Sequence, residues 1–232
     1  VAGALSNPRL ELYNSAGERI LQNDDWSGAD TNAAFAQVGA FGLAAGARDA
    51  ALLATLAPGA YTMHVMDGGE TGVALAEIYD ASPNPQGEYQ RLINISSRGT
   101  VEAGEGVLIG GFVVTGNSPK KMLVRGVGPG LAAFGVGGTL ADPRLTIYGS
   151  QGMVAQNNDW GTPVSVGAMQ SVAMPADIAE AARTTGAFAF AAGSKDAAII
   201  ITLAPGAYTA QVTGADGAST GVALVEIYEI PE

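Results

Sequence analysis

The chain has 232 residues, 11 basic and 22 acidic, for a formal net charge of -11; that acidity argues against nucleic acid, which needs basic surface to displace counterions, and against an anionic membrane surface. It has no cysteine, which excludes disulfides, thiolate metal sites and a cysteine nucleophile. Hydrophobic residues make up 47%, enough for a core, yet no apolar run approaches the ~20 residues of a membrane helix, and 33 Gly and 11 Pro suit short strands joined by tight turns.

The chain begins at Val1 and not at Met, which reads as removal of an upstream segment or as a piece of a longer protein. Residues 5–13, LSNPRLELY, open on an Asn-Pro turn and alternate as a strand. Asn14-Ser15-Ala16-Gly17 is turn chemistry, and 18–22 returns to complete a hairpin. Asn23-Asp24-Asp25-Trp26 follows, then a polar stretch around Asn32-Ala33-Ala34-Phe35 that reads as a short helical piece. Residues 50–56 and 61–66 are apolar strands on either side of the Pro58-Gly59 turn, and 73–79 is a closing strand. Residues 80–90, DASPNPQGEYQ, are linker-like. Three further strands are expected within 91–99, 106–116 and 120–128.

From there the chain repeats itself. ADPRLTIY (141–148), a Gly-Ser-Gln-Gly turn and Asn157-Asn158-Asp159-Trp160 match the first hairpin. MPADIAEAAR (174–183) predicts a short helix, with Pro175 and Asp177 in its first turn and Arg183 at its end. Residues 39–62 and 186–209 are then identical at 17 of 24 positions, and GVALAEIY (72–79) returns as GVALVEIY (221–228). A repeat of this kind is read one unit at a time. The expected architecture is all-β: two antiparallel, jelly-roll-like β-sandwich modules in tandem, 1–80 and 91–232, joined by a linker at 81–90. Val136 aligns with Val1, so the first module lacks the three strands that open the second.

The pattern PRLxLY or PRLxIY, a turn, NDDW or NNDW, then LAPGAYT and a closing strand resembles the bacterial pre-peptidase C-terminal domains. The opening strands (RLINISSRG, GFVV, LVRGVGPGL) also look like a repeat found in large secreted proteins of environmental bacteria. The resemblance implies a β-sandwich appended to secreted or surface proteins, at the extracellular face or cell surface of a bacterium. Such modules bind, target or stabilise, and some hold calcium.

Chemistry is sparse. The oxygens of Asn23, Asp24 and Asp25, and of Asn157, Asn158 and Asp159, are of the hard-cation kind and make calcium the one cofactor to consider; the alternative is that the Asx side chains cap the loop. Trp26 and Trp160 would stack on a sugar if exposed, but a residue this large reads as a plug under the variable loop. Glu77 and Glu226 lie among apolar neighbours and need a partner if buried, for which Arg9, Arg144 and Arg125 are the candidates; an exposed edge strand is the alternative. GVGPGL (126–131) has its third glycine misplaced for a dinucleotide loop, and His64, the one histidine, has no evident triad partners. Asn94-Ile95-Ser96 is a sequon inside an expected strand.

These features imply no catalytic centre. The leading expectation is an extracellular structural subunit that assembles with copies of itself into a filament or surface array by strand complementation. The alternative is a carbohydrate- or surface-binding module of a larger secreted hydrolase. Charge favours the first: residues 1–80 hold three basic and ten acidic residues, a net of -7, whereas 90–134 hold five basic and two acidic, a net of +3.

Overall fold

The structure, a computed structural model, describes residues 3–82, 92–162 and 173–231. Most of the expected linker at 81–90, and part of the variable loop after Trp160, lie outside the described residues. The chain divides into two compact units, Val1–Leu92 and Ile93–Glu232.

The second unit is a complete sandwich. β4 (Asn94–Val101), β5 (Leu108–Val114) and β6 (Lys120–Val127) come first. After a 3-10 turn at Pro129–Phe134 follow β7 (Pro143–Gly149), β8 (Gly152–Asn157), the helix α2 (Pro175–Thr185), β9 (Ala197–Leu203), β10 (Gly206–Gly214) and β11 (Gly221–Glu229). They form two four-stranded antiparallel sheets, β5-β10-β7-β8 and β4-β11-β6-β9. Alternate side chains of both sheets meet in one core, which includes Val124, Leu145, Ile147, Ile199, Val212 and Val225. A second cluster, with Leu123, Ile200 and Tyr228, lies on the other face of the β4-β11-β6-β9 sheet under α2. The helix is set by the signals read in the sequence: Pro175 in its first turn, and the Met174 backbone N–H donating to Asp177 Oδ2 at 2.8 Å. It ends at Gly186, whose φ of 77° is a left-handed conformation that only glycine adopts without cost.

The first unit has the same order of events with fewer ladders. β1 (Arg9–Tyr13), β2 (Arg19–Asn23) and β3 (Thr62–Met66) form a sheet in the order β2-β1-β3, matching β8-β7-β10. The helix α1 (Ala29–Val38) is longer than the sequence suggested and ends at Gly39, the counterpart of Gly186, with φ 73°. The strands expected at 50–56 and 73–79 are not strands: neither has a ladder partner, and only the single bridge Ala4 to Val73 survives. The reason lies in the sheet order. Their counterparts β9 and β11 both pair with β6, and β11 also with β4. The sequence holds one copy of those strands, and it lies in the second unit.

This difference decides burial. Among the described residues, every buried apolar side chain belongs to the second unit, and Glu11 is the one buried residue of the first.

Candidate functional site

The repeat places the same residue types in both units, so the complete unit shows what each one is for. In the second unit the focus is Arg125 on β6, 1% exposed. Register sets Arg125 directly across from Glu226 on β11. Its Nε lies 3.2 Å from Glu226 Oε2, and its Nη1 donates to the Phe188 carbonyl oxygen at 2.8 Å. The guanidinium lies 4.3 Å from the Phe188 ring centre and 4.0 Å from that of Phe190, a cation–π sandwich out of water. Tyr228 Oη donates to Glu226 Oε1 at 2.8 Å. Burial pushes the Tyr228 hydroxyl well above the usual tyrosine range, and the Glu226 charge adds to the shift. Burial likewise pulls the Arg125 guanidinium down, with Glu226 opposing.

Past Arg125 the chain turns through Gly128-Pro129-Gly130. The backbone N–H groups of Gly128 and Gly130 both donate to Asp196 Oδ1, at 2.8 and 3.0 Å, and Ser194 Oγ donates to Asp196 Oδ2. Asp196 is fully buried and draws its compensation from these donors. The amides that a nucleotide loop would offer to phosphate are therefore taken by a carboxylate of the protein itself.

Of the sequence-predicted partners, Arg125 meets Glu226, while Arg9 and Arg144 meet neither glutamate. Arg9 lies 3.1 Å from Glu11, and Arg144 Nη2 donates to the Ala215 carbonyl oxygen. Glu226 is not on an edge, because β11 lies between β4 and β6. Glu11 was not foreseen: Tyr13 and Arg19 bond it at 2.6 and 2.8 Å, and the Tyr13 hydroxyl holds its carboxyl below the usual range. Asp196 and Phe188 were also missed. Their signal was present, since both recur in the repeat as Asp49 and Phe41.

In the first unit these counterparts are exposed. Glu77 and Asp49 lie in solvent, Phe41 is 59% exposed and Tyr79 43%. Tyr79 Oη donates to Glu77 Oε1 at 3.1 Å, the same pairing as in the second unit. Leu43 stands where Phe190 does and Ala47 where Ser194 does. The apolar side chains Leu53, Leu56, Val73, Leu75 and Ile78 are exposed alongside.

The segments are nevertheless held as in the complete unit. Asn23 Oδ1 accepts the Ala51 N–H at 3.0 Å, and Asn157 Oδ1 accepts the Ala198 N–H at 3.0 Å. The Trp26 backbone N–H donates to the Asp49 carbonyl at 2.7 Å, and that of Trp160 to the Asp196 carbonyl at 2.8 Å. The lead Asn of each Asn-Asp loop is thus a strap between a hairpin and the next strand segment. Asn23 Oδ1 and Asn157 Oδ1 face backbone N–H groups and Asp159 is paired with Lys195 at 3.0 Å, whereas Asn158 Oδ1 is buried without a hydrogen-bond partner; the described residues contain no cluster of three acidic or His groups able to hold a metal. Trp26 and Trp160 are half-buried; Trp26 Nε1 donates to Thr31 Oγ1 at 2.6 Å, and Trp160 packs against the cluster under α2. His64 lies against the Tyr13 ring at 4.7 Å. Asn94 Nδ2 donates to the Ile227 carbonyl, within the β4–β11 pair.

Among the described residues no helix is long and apolar enough to cross a membrane. No protein-family model matches the chain, and no curated protein does. Among solved structures the chain is similar to the pre-Peptidase C-terminal domain of collagenase from Bacillus anthracis, at 15% identity and a TM-score of 0.30, over 58% of this chain and 89% of that one.

Proposed function

We propose that the chain is an extracellular structural subunit that assembles with copies of itself into a filament or surface array, the first unit of each copy being completed by a strand of a neighbour. The observation that carries this reading is the segment 72–79. It repeats the sequence of β11, a central strand, yet every residue in it is exposed. The outer edge of β3 is open as well among the described residues, because its counterpart β10 pairs with β5 and the described part of the first unit has no such strand. Unpaired strand edges beside exposed apolar side chains are what an added strand covers. The acidic first unit and the basic stretch 90–134 give neighbouring copies an electrostatic reason to approach.

Each copy holds one β4–β6 set, enclosed in its own second unit. Complementation between copies is therefore partial, by an edge strand or terminal segment and not by exchange of all three strands. Such a contact is head-to-tail and propagates unless it closes into a ring. The extracellular setting is supported by the sequence pattern shared with secreted sandwich modules. Sedimentation and electron microscopy of the full chain at physiological pH should show polymer, and the chain without residues 1–80 should stay monomeric. A full chain that remains monomeric, with a cooperatively folded first unit, overturns the reading.

A further inference from the structure

Phe41, Asp49, Glu77 and Tyr79 form a set whose purpose is visible only in the other half of the molecule. Their counterparts Phe188, Asp196, Glu226 and Tyr228 are all organised around one strand, β6, and the glycine turn after it. Glu226 and Phe188 hold Arg125, Tyr228 orients Glu226, and Asp196 accepts the N–H groups of Gly128 and Gly130. In the first unit the same four residues are exposed, and among the described residues no arginine of that unit is paired with Glu77; Arg9 and Arg19 both bond Glu11. The Asn23 and Trp26 bonds already hold the start of 50–56, and the Tyr79 bond already orients Glu77. A strand running between 50–56 and 72–79 would find both ladders open and a carboxylate at the height of its arginine.

We infer that the first unit carries an arginine seat, formed by Glu77, Tyr79, Phe41 and Asp49, for a β-strand of another chain that has the chemistry of β6. That strand alternates apolar residues, bears one arginine toward Glu77, and continues into a glycine turn whose amides reach Asp49. The inference rests on the assembly reading in one respect, that the completing strand comes from another chain; the chemistry of the strand is what it adds. Each copy's own β6 is enclosed, with Arg125 held by Glu226, Phe188 and Phe190, so the donor is a chain whose arginine strand is free. Charge agrees: a strand as basic as β6, which bears Lys120, Lys121 and Arg125, would meet a unit of net charge -7 over residues 1–80.

The test uses the full chain and a labelled peptide of residues 118–131, with anisotropy for affinity and amide hydrogen exchange for location. The peptide should bind saturably and protect 50–56 and 72–79. Arg125→Gln in the peptide should weaken binding about 30-fold or more, as removal of one partner of an enclosed charge pair does. Glu77→Gln in the chain should cost the native peptide as much and the altered peptide little further. Glu77 is exposed, so these variants keep the fold. Equal binding of both peptides, or no binding to a monomeric chain, overturns the seat. A chain that is already polymeric and excludes the peptide overturns the seat and leaves assembly standing. A chain that stays monomeric yet binds the peptide with the arginine preference keeps the seat and overturns self-assembly.

Discussion

Glu77 and Glu226 are the same residue in two environments, and the difference between them is one arginine. In the second unit Glu226 is buried, so its charge is tolerable only with Arg125 beside it. Arg125→Ala should lower the unfolding free energy of that unit by about 3–5 kcal/mol, since it strands a buried carboxylate and empties the space between two Phe rings. Glu77→Ala should stay within about 0.5 kcal/mol of the parent, as an exposed side chain does. Denaturant midpoints of the two variants check both. Tyr228 adds a pH dependence of known sign. Its folded value is raised above the ordinary tyrosine value of about 10. The folded state therefore holds this proton more tightly, and the contribution is complete below about pH 10 and lost as pH rises through the folded value. Urea unfolding followed from pH 8 upward should show stability falling more steeply in the parent than in Tyr228→Phe, whose deficit at neutral pH comes from the lost bond to Glu226.

At the scale of elements, a strand is defined by its neighbours. The segment 50–56 is nearly as apolar as β9, and 72–79 nearly repeats β11, but only the latter of each pair is laddered. Amides in β9 and β11 should accordingly exchange slowly with solvent, and those in 50–56 and 72–79 fast, unless a partner strand is bound. The loops after β2 and β8 make a second contrast. Asn157 is buried and caps the Ala198 N–H, so Asn157→Ala should cost about 1–3 kcal/mol, the price of an unmet buried donor. Chelator should leave the melting temperature unchanged if these loops act only as caps, with Asn23 and Asn157 accepting backbone N–H groups and Asp159 paired with Lys195; a fall restored by calcium would show that the loops hold the ion. The short helices were legible for a local reason: Pro175, Asp177 and the glycines after each helix act within a turn of themselves.

At the scale of the whole molecule, one unit closes its core and the other does not. Burying each exposed Leu, Ile or Val of the first unit would contribute about 1.5–3 kcal/mol, and the first unit forfeits this while its second sheet is unpaired. A two-step denaturant profile follows, with the first unit melting at the lower concentration and a bound partner strand raising that midpoint. The repeat, the all-β class, the turns and the three additional strands could all be read from residue order, because alternation, Pro-Gly turns and near-identical segments are properties of neighbours in the chain. Which arginine meets Glu226 could not. Arg9, Arg125 and Arg144 are equivalent as letters, and the choice is made by the register of β6 against β11, a pairing of residues about a hundred positions apart. The same holds for 50–56 and 73–79. Their composition says strand, but a strand needs hydrogen bonds from another segment, and only the tertiary structure shows that the partners are held in the second unit.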